Sequence, residues 1–196
     1  MKKERTAVRL DKIRRVLEQR QPDLTLVMAN IHDPHNVSAI YRSCDAFGVP
    51  RVHLYYTDTP FPHLAAKTSA SARKWVETER HRGIDDLRAA LKKRDMTVYA
   101  TTFTPAARPL SDFDLTKPAA VILGNEHSGV DEELIALSDE QIYIPMYGMI
   151  QSFNVSVAAA LVLYEASRQR LAAGRYDRPG YSPHELDELF AAWSDK

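Results

Sequence analysis

Cysteine is almost missing. Cys44 is the single thiol among 196 residues, so no intramolecular disulfide can form and a reducing compartment is expected. No run of about 18 apolar residues occurs, so no membrane-spanning helix is expected. The N-terminus MKKERTAVRL is basic with no apolar stretch behind it. It does not read as a secretory signal, and with the lone cysteine a cytoplasmic location is expected. An excess of one charge is missing too: 26 Lys and Arg balance 26 Asp and Glu. Any nucleic-acid surface must therefore come from local asymmetry. Neither a G-x-x-x-x-G-K-[ST] phosphate loop nor a G-x-G-x-x-G dinucleotide fingerprint is present. Internal repeats and low-complexity tracts are also absent.

What is present suffices for one domain. Hydrophobic residues make up 44% of the chain and charged residues 27%, which supports a full core and an ordinary soluble surface. Buried strands are predicted at Leu24–Ala29, Arg51–Tyr56, Trp75–Glu79, Thr97–Thr101, Ala119–Leu123 and Ile142–Ile144. Helices are predicted at Val37–Phe47 with Gly48 as C-cap, Ile84–Lys93, Asn154–Glu165, and Ser182 through Trp193. Ser182 with Glu185 reads as a capping box, with Pro183 at the first helical position. Alternating strands and helices predict a parallel α/β sheet with helices on both faces. The expected parts are a basic helix over 1–21, the sheet domain over 22–173 and a helical extension over 174–196.

The charge asymmetry is at the ends. Residues 1–20 carry eight basic and three acidic side chains, with a thin apolar stripe at helical spacing. Arg9, Arg14, Arg15 and Arg20 are candidate phosphate contacts. A second basic cluster, Arg168, Arg170, Arg175 and Arg178, is read beside the alternative of ordinary helix-end charge. Lys67–Lys74 is small-rich and basic, and suggests that Arg73 and Lys74 line a substrate groove.

Three loops follow strands. Asn30–Asn36 is turn chemistry before a helix in which Arg42 and Asp45 sit i, i+3 and can pair. His32 and His35 form H-x-x-H, but no third or fourth ligand is evident and no metal is expected. Gly124–Gly129 is, at its plainest, a strand-to-helix turn. Ile144–Asn154 joins a strand to a buried helix, and Asn154 reads first as an N-cap. Parallel strands place all three loops on one edge, where α/β proteins hold ligands. Cys44 reads as a core-facing helix residue, not a nucleophile.

The order of these loops resembles the SPOUT superfamily of RNA 2'-O-methyltransferases. Asn36-Val-Ser-Ala-Ile-Tyr-Arg42 is similar to the first signature, and Gly124, Glu126 and Gly129 match the second. Ile144-Pro-Met-Tyr-Gly148-Met-Ile-Gln-Ser152-Phe-Asn154-Val-Ser-Val-Ala matches the third. Phe153 stands where the family has Leu, and glycines usual near residue 70 are replaced by Ala70, Ser71 and Ala72. The chain-wide likeness is to the TrmH group, which acts on the D-loop guanosine of tRNA. The resemblance implies a C-terminal trefoil knot, an obligate homodimer and S-adenosylmethionine as methyl donor. It implies methylation of the ribose 2'-OH of guanosine-18 in tRNA. The alternatives are another tRNA or rRNA nucleotide, or a non-catalytic RNA-binding protein.

Carried over to this chain, the catalytic set is Arg42, Asn36, Glu126, Ser152 and Asn154. Arg42 is expected to bind the adjacent phosphate and stabilise the developing alkoxide, because a guanidinium is a poor base; phosphate-assisted deprotonation is the alternative. The cofactor set is Thr101, Leu123, Gly124, Asn125, Ile144, Met146, Gly148, Met149, Phe153 and Asn154. A sulfonium is a good leaving group, so no metal is needed.

Overall fold

Leu24–Ala29 forms β1, and all six residues are buried. That burial needs cover on both faces. Leu26 and Met28 enter one core and Val27 and Ala29 the other, as the two-residue period of a strand requires. The structure, a computed structural model, describes residues 6–62 and 72–196. The Lys67–Ser71 part of the suspected groove lies outside the described residues.

The remaining elements are α1 (Ala7–Glu18), α2 (Pro34–Ala46), β2 (Arg51–Tyr55), β3 (Glu77–His81), α3 (Ile84–Lys92), β4 (Thr97–Thr101) and β5 (Arg108–Pro109). Then come β6 (Ala119–Leu123), α4 (Glu132–Leu137), β7 (Glu140–Tyr143), α5 (Val155–Ala172) and α6 (Pro183–Ser194). Among the described residues, seven strands form one sheet in the order β3-β2-β1-β6-β4-β7-β5. Every pairing is parallel. α2 and α5 cover one face through Ile40, Tyr41, Ala159 and Val162. α3 and α4 cover the other through Leu87, Leu91 and Leu134. Among the described residues, no helix is long and apolar enough to cross a membrane.

Element boundaries differ from the sequence reading in informative places. β3 starts at Glu77, because Trp75 closes a tight turn through its N–H to Ala72 O at 2.9 Å. β7 starts at Glu140, opposite Tyr99 of β4. α2 begins earlier, at Pro34, capped by the Asp33 carboxylate on His35 N–H at 2.8 Å. α5 runs on to Ala172. The two-residue β5 carries too little pattern to be seen in sequence.

The two terminal extensions pack on each other. Ile13 and Leu17 of α1 join Trp193 of α6 in a small separate core, with the Trp75 ring tilted against Trp193 at 4.7 Å between ring centroids. Arg20 closes the end of α1. Its guanidinium donates to Asp45 at 2.5 Å and to Val49 O at 3.1 Å, and it is fully buried. Arg170 is buried equally, bonding Asp23, Gln21, Leu115 O and Lys117 O at 2.5–3.0 Å.

One buried polar cluster lies between β2, β3 and α3. His53 Nδ1 and His81 Nε2 are 2.9 Å apart, and His81 Nδ1 meets Asp86 at 2.8 Å. Glu79 stands 3.5 Å from His53. Three such side chains suggest a metal, but the rings are nearly coplanar, at 28° with centroids 5.2 Å apart. The two nitrogens therefore point at each other, as in a hydrogen bond. Metal ligands would instead converge on a common point. Burial, then His81 and the Arg94 and Arg51 charges, push the His53 pKa down to about 3.

Candidate active site

The parallel sheet delivers the loops after β1, β4, β6 and β7 to one edge. Between the last three lies a cleft of about 660 Å³. Leu123, Ile142, Ile144, Phe153 and Val155 are among its apolar wall residues. Thr101, Asn125, Ser152 and Asn154 bring polar groups. That size and mixture suit a small ligand with an apolar flat part and polar edges.

The loop after β6 is fixed by its own side chain. Asn125 Oδ1 accepts from His127 N–H and Ser128 N–H, each at 2.8 Å. Asn125 and Gly129 close the turn with paired backbone bonds of 3.0 and 3.2 Å. A Cβ on Gly124 would stand 2.0 Å from the Gly129 backbone, so only glycine fits. Gly129 has φ +75°, in the region that favours glycine.

Three loops meet in a hydrogen-bonded chain. Asn154 Nδ2 donates to Asn36 Oδ1 at 3.1 Å, and Asn36 Nδ2 donates to Glu126 Oε1 at 2.7 Å. Glu126 Oε2 also accepts from His32 N–H at 3.3 Å. Burial acts to raise the Glu126 pKa. The bonds from Asn36 and from backbone N–H groups outweigh it, and the carboxyl titrates below its ordinary value. Asn154 does two jobs. Its Oδ1 caps α5 on Ser156 N–H at 2.9 Å while its amide nitrogen reaches Asn36.

Of the sequence-derived catalytic set, Asn36, Glu126 and Asn154 are thus joined, and Ser152 lines the cleft beside them. Arg42 is exposed and lies outside the cleft lining, six residues along α2 from Asn36. Its expected partner is taken: Asp45 binds Arg20. Of the cofactor set, Leu123, Gly124, Asn125, Ile144, Phe153 and Asn154 line the cleft. Thr101 lines it too, with its hydroxyl turned to Ile122 O at 2.9 Å. Met146, Gly148 and Met149 do not line it, because the loop swings outward and leaves Met149 fully exposed.

Of the RNA set, Arg9, Arg14, Arg15, Arg73, Lys74, Arg168 and Arg178 are exposed. Arg14 lies over the Phe190 ring, and Arg168 pairs with Glu165. Arg20 and Arg170 are corrections: both guanidiniums are buried and bonded inside the molecule, so neither offers a phosphate contact. The sequence reading missed Phe103 and His127, which also line the cleft. An exposed aromatic just past the end of a strand was the available signal for Phe103.

Residues 23–164 match the SpoU rRNA Methylase family. The chain belongs to this family. Among SpoU relatives, a tRNA (guanosine(18)-2'-O)-methyltransferase of Thermus thermophilus is 47% identical over 194 residues, covering 99% of this chain and all of that one. The structure of the Aquifex aeolicus TrmH/SpoU tRNA modifying enzyme is 37% identical, superposes with TM-score 0.88 and covers 95% of each chain. The SpoU methyltransferase AviRb of Streptomyces viridochromogenes, crystallised in complex with AdoMet, is 24% identical with TM-score 0.69 over 79% of this chain and 62% of that one. At that identity the likeness speaks to the fold.

Proposed function

We propose that this SpoU-family chain methylates the ribose 2'-OH of guanosine-18 in tRNA, with S-adenosylmethionine as donor. One observation carries the reading. The Asn154–Asn36–Glu126 chain closes one side of the cleft, in a protein 47% identical along its whole length to a methyltransferase of that name.

The cleft fits the donor in size and in its apolar walls. Bound there, S-adenosylmethionine supplies an electrophilic methyl group. The chain's own residues then position the acceptor. Ionised Glu126 fixes the Asn36 amide, and Asn36 fixes Asn154, so the polar groups at the cleft mouth are set before RNA arrives. Arg42, exposed on α2, binds a backbone phosphate and stabilises negative charge growing on the 2'-oxygen. The exposed Arg9, Arg15 and Arg178 add phosphate contacts at the molecule's ends.

A homodimer completes this reading. Val157, Leu161, Tyr164 and Leu171 leave an apolar stripe exposed along α5, and Tyr147, Met149 and Ile150 extend it from the preceding loop. A second copy is the occupant proposed for it. Arg42 then serves a cleft at the subunit junction. A trefoil knot is part of the same proposal, resting on membership of the SpoU family.

The test is methyl transfer from radiolabelled donor to tRNA transcripts. Label is expected in tRNA and not in tRNA carrying 2'-deoxyguanosine at position 18, nor in 23S rRNA. Label in rRNA alone overturns the assignment.

A further inference from the structure

Asn30 directly follows β1 in an unusual conformation. Its φ is +46° in a residue that is not glycine, and it is buried to 2% exposure. L-residues enter this region only with support, and Asn does so when its amide is bonded locally. Here the amide is saturated. Oδ1 accepts from Thr57 N–H at 3.0 Å, while Nδ2 donates to Thr57 Oγ1 at 3.1 Å and to Asp131 Oδ2 at 3.3 Å. Glycine would take the same backbone more readily, so the amide bonds are what this residue adds.

Those bonds join the two halves of the site. Asp131 opens α4 directly after the turn that carries Glu126. On the other side, the loop leaving Asn30 carries His32 and leads into the first turn of α2 with Asn36, and both bond to Glu126. Asn30 itself does not line the cleft. Resting on the methyltransferase reading above, we infer that Asn30 is a positioning residue. Its amide holds the β1–α2 loop in register with the Glu126 turn, so that Asn36 meets Glu126 at the acceptor side. Backbone strain of this kind persists where surrounding bonds over-determine it, and it clusters at functional sites.

The experiment compares Asn30→Gly, Asn30→Asp and the polarity-swapped pair Asn30→Asp/Asp131→Asn. kcat and KM for tRNA are measured per folded molecule, with donor affinity by calorimetry and Tm. In Asn30→Gly, donor affinity and KM are expected within threefold of the parent while kcat falls tenfold or more. Asn30→Asp sets two carboxylates side by side and is expected to fall further. The swapped pair restores a donor and an acceptor and recovers at least tenfold of that loss. If Asn30→Gly does not fold, the Asn30→Asp loss and its recovery in the swapped pair decide. An Asn30→Gly kcat within twofold of the parent with only Tm lowered overturns the inference, as does a swapped pair that recovers nothing. Failure of the underlying reading is separate: it shows as a parent protein that does not methylate tRNA.

Discussion

Arg42 and Glu126 show how little of a residue's role its neighbours in sequence decide. The i, i+3 spacing offers Arg42 the carboxylate of Asp45, yet that carboxylate is bound to Arg20 at 2.5 Å. Among the described residues, the exposed Arg42 guanidinium has no side-chain hydrogen bond or ion pair, so its charge stands available to phosphate. Arg42→Ala is expected to lower kcat by about 10²–10³, the scale of losing one preorganised charge-stabilising donor. Donor affinity by calorimetry should stay within a few fold, and a loss confined to donor binding would remove Arg42 from the reaction. Gly124→Ala should fail in the opposite way. Its methyl group would sit 2.0 Å from the Gly129 backbone, so the turn must move and donor affinity should drop at least about tenfold. Arg170 carries a caution at the same scale. A variant there breaks a buried ion pair, a change that typically costs about 3–5 kcal/mol. Lost RNA binding in Arg170→Ala would therefore report the fold.

Elements were legible where their periodicity was strong. β6 is uniformly apolar, β1 and β4 are rich in apolar and β-branched residues, and all three sit where the sequence places them. The capping box at Ser182 forms as read. β3 was misplaced because its residues, ETERH, carry no apolar pattern. Its place at the sheet edge, held by Arg51 ion pairs to Glu77 and Glu79, permits that. The His53–His81–Asp86 cluster was invisible, since its members meet only through the pairing of β2 with β3 and the packing of α3. It sets a pH dependence. His53 titrates near 3 in the fold and near 6.5 in the unfolded chain. Between those values the unfolded state holds more protons, so stability falls as pH drops through the window, by up to about 1.4 kcal/mol per pH unit. Denaturant melts at pH 7, 6, 5 and 4 should show the decline, and His53→Asn should flatten it. α5 offers a cleaner test of assembly. Leu161→Glu with Tyr164→Glu places charge on its exposed apolar stripe. Light scattering should then report monomers with unchanged far-UV circular dichroism, and tRNA methylation should be lost.

At the scale of the molecule, the sequence reading reached the parallel sheet and the edge where the loops gather. The arrangement of arginines escaped it. Charge counting marks Arg20 and Arg170 as surface cations, but packing puts Arg20 against Asp45 and Arg170 against Asp23. Burial of a paired guanidinium leaves no trace in composition. The outward turn of Met149 escaped it as well, because a loop's direction depends on what surrounds it.

The position of β6 has a consequence for synthesis on the ribosome. β6 is the fifth-formed long strand, yet it sits between β1 and β4 at the centre of the sheet. Until Ala119–Leu123 leaves the exit tunnel, the nascent chain holds β1 with one edge unpaired. Its apolar residues meanwhile wait for partners that do not yet exist. A fragment ending at Pro118 should accordingly be found in the pellet or on a chaperone, and extending it past residue 172 should return it to the soluble fraction.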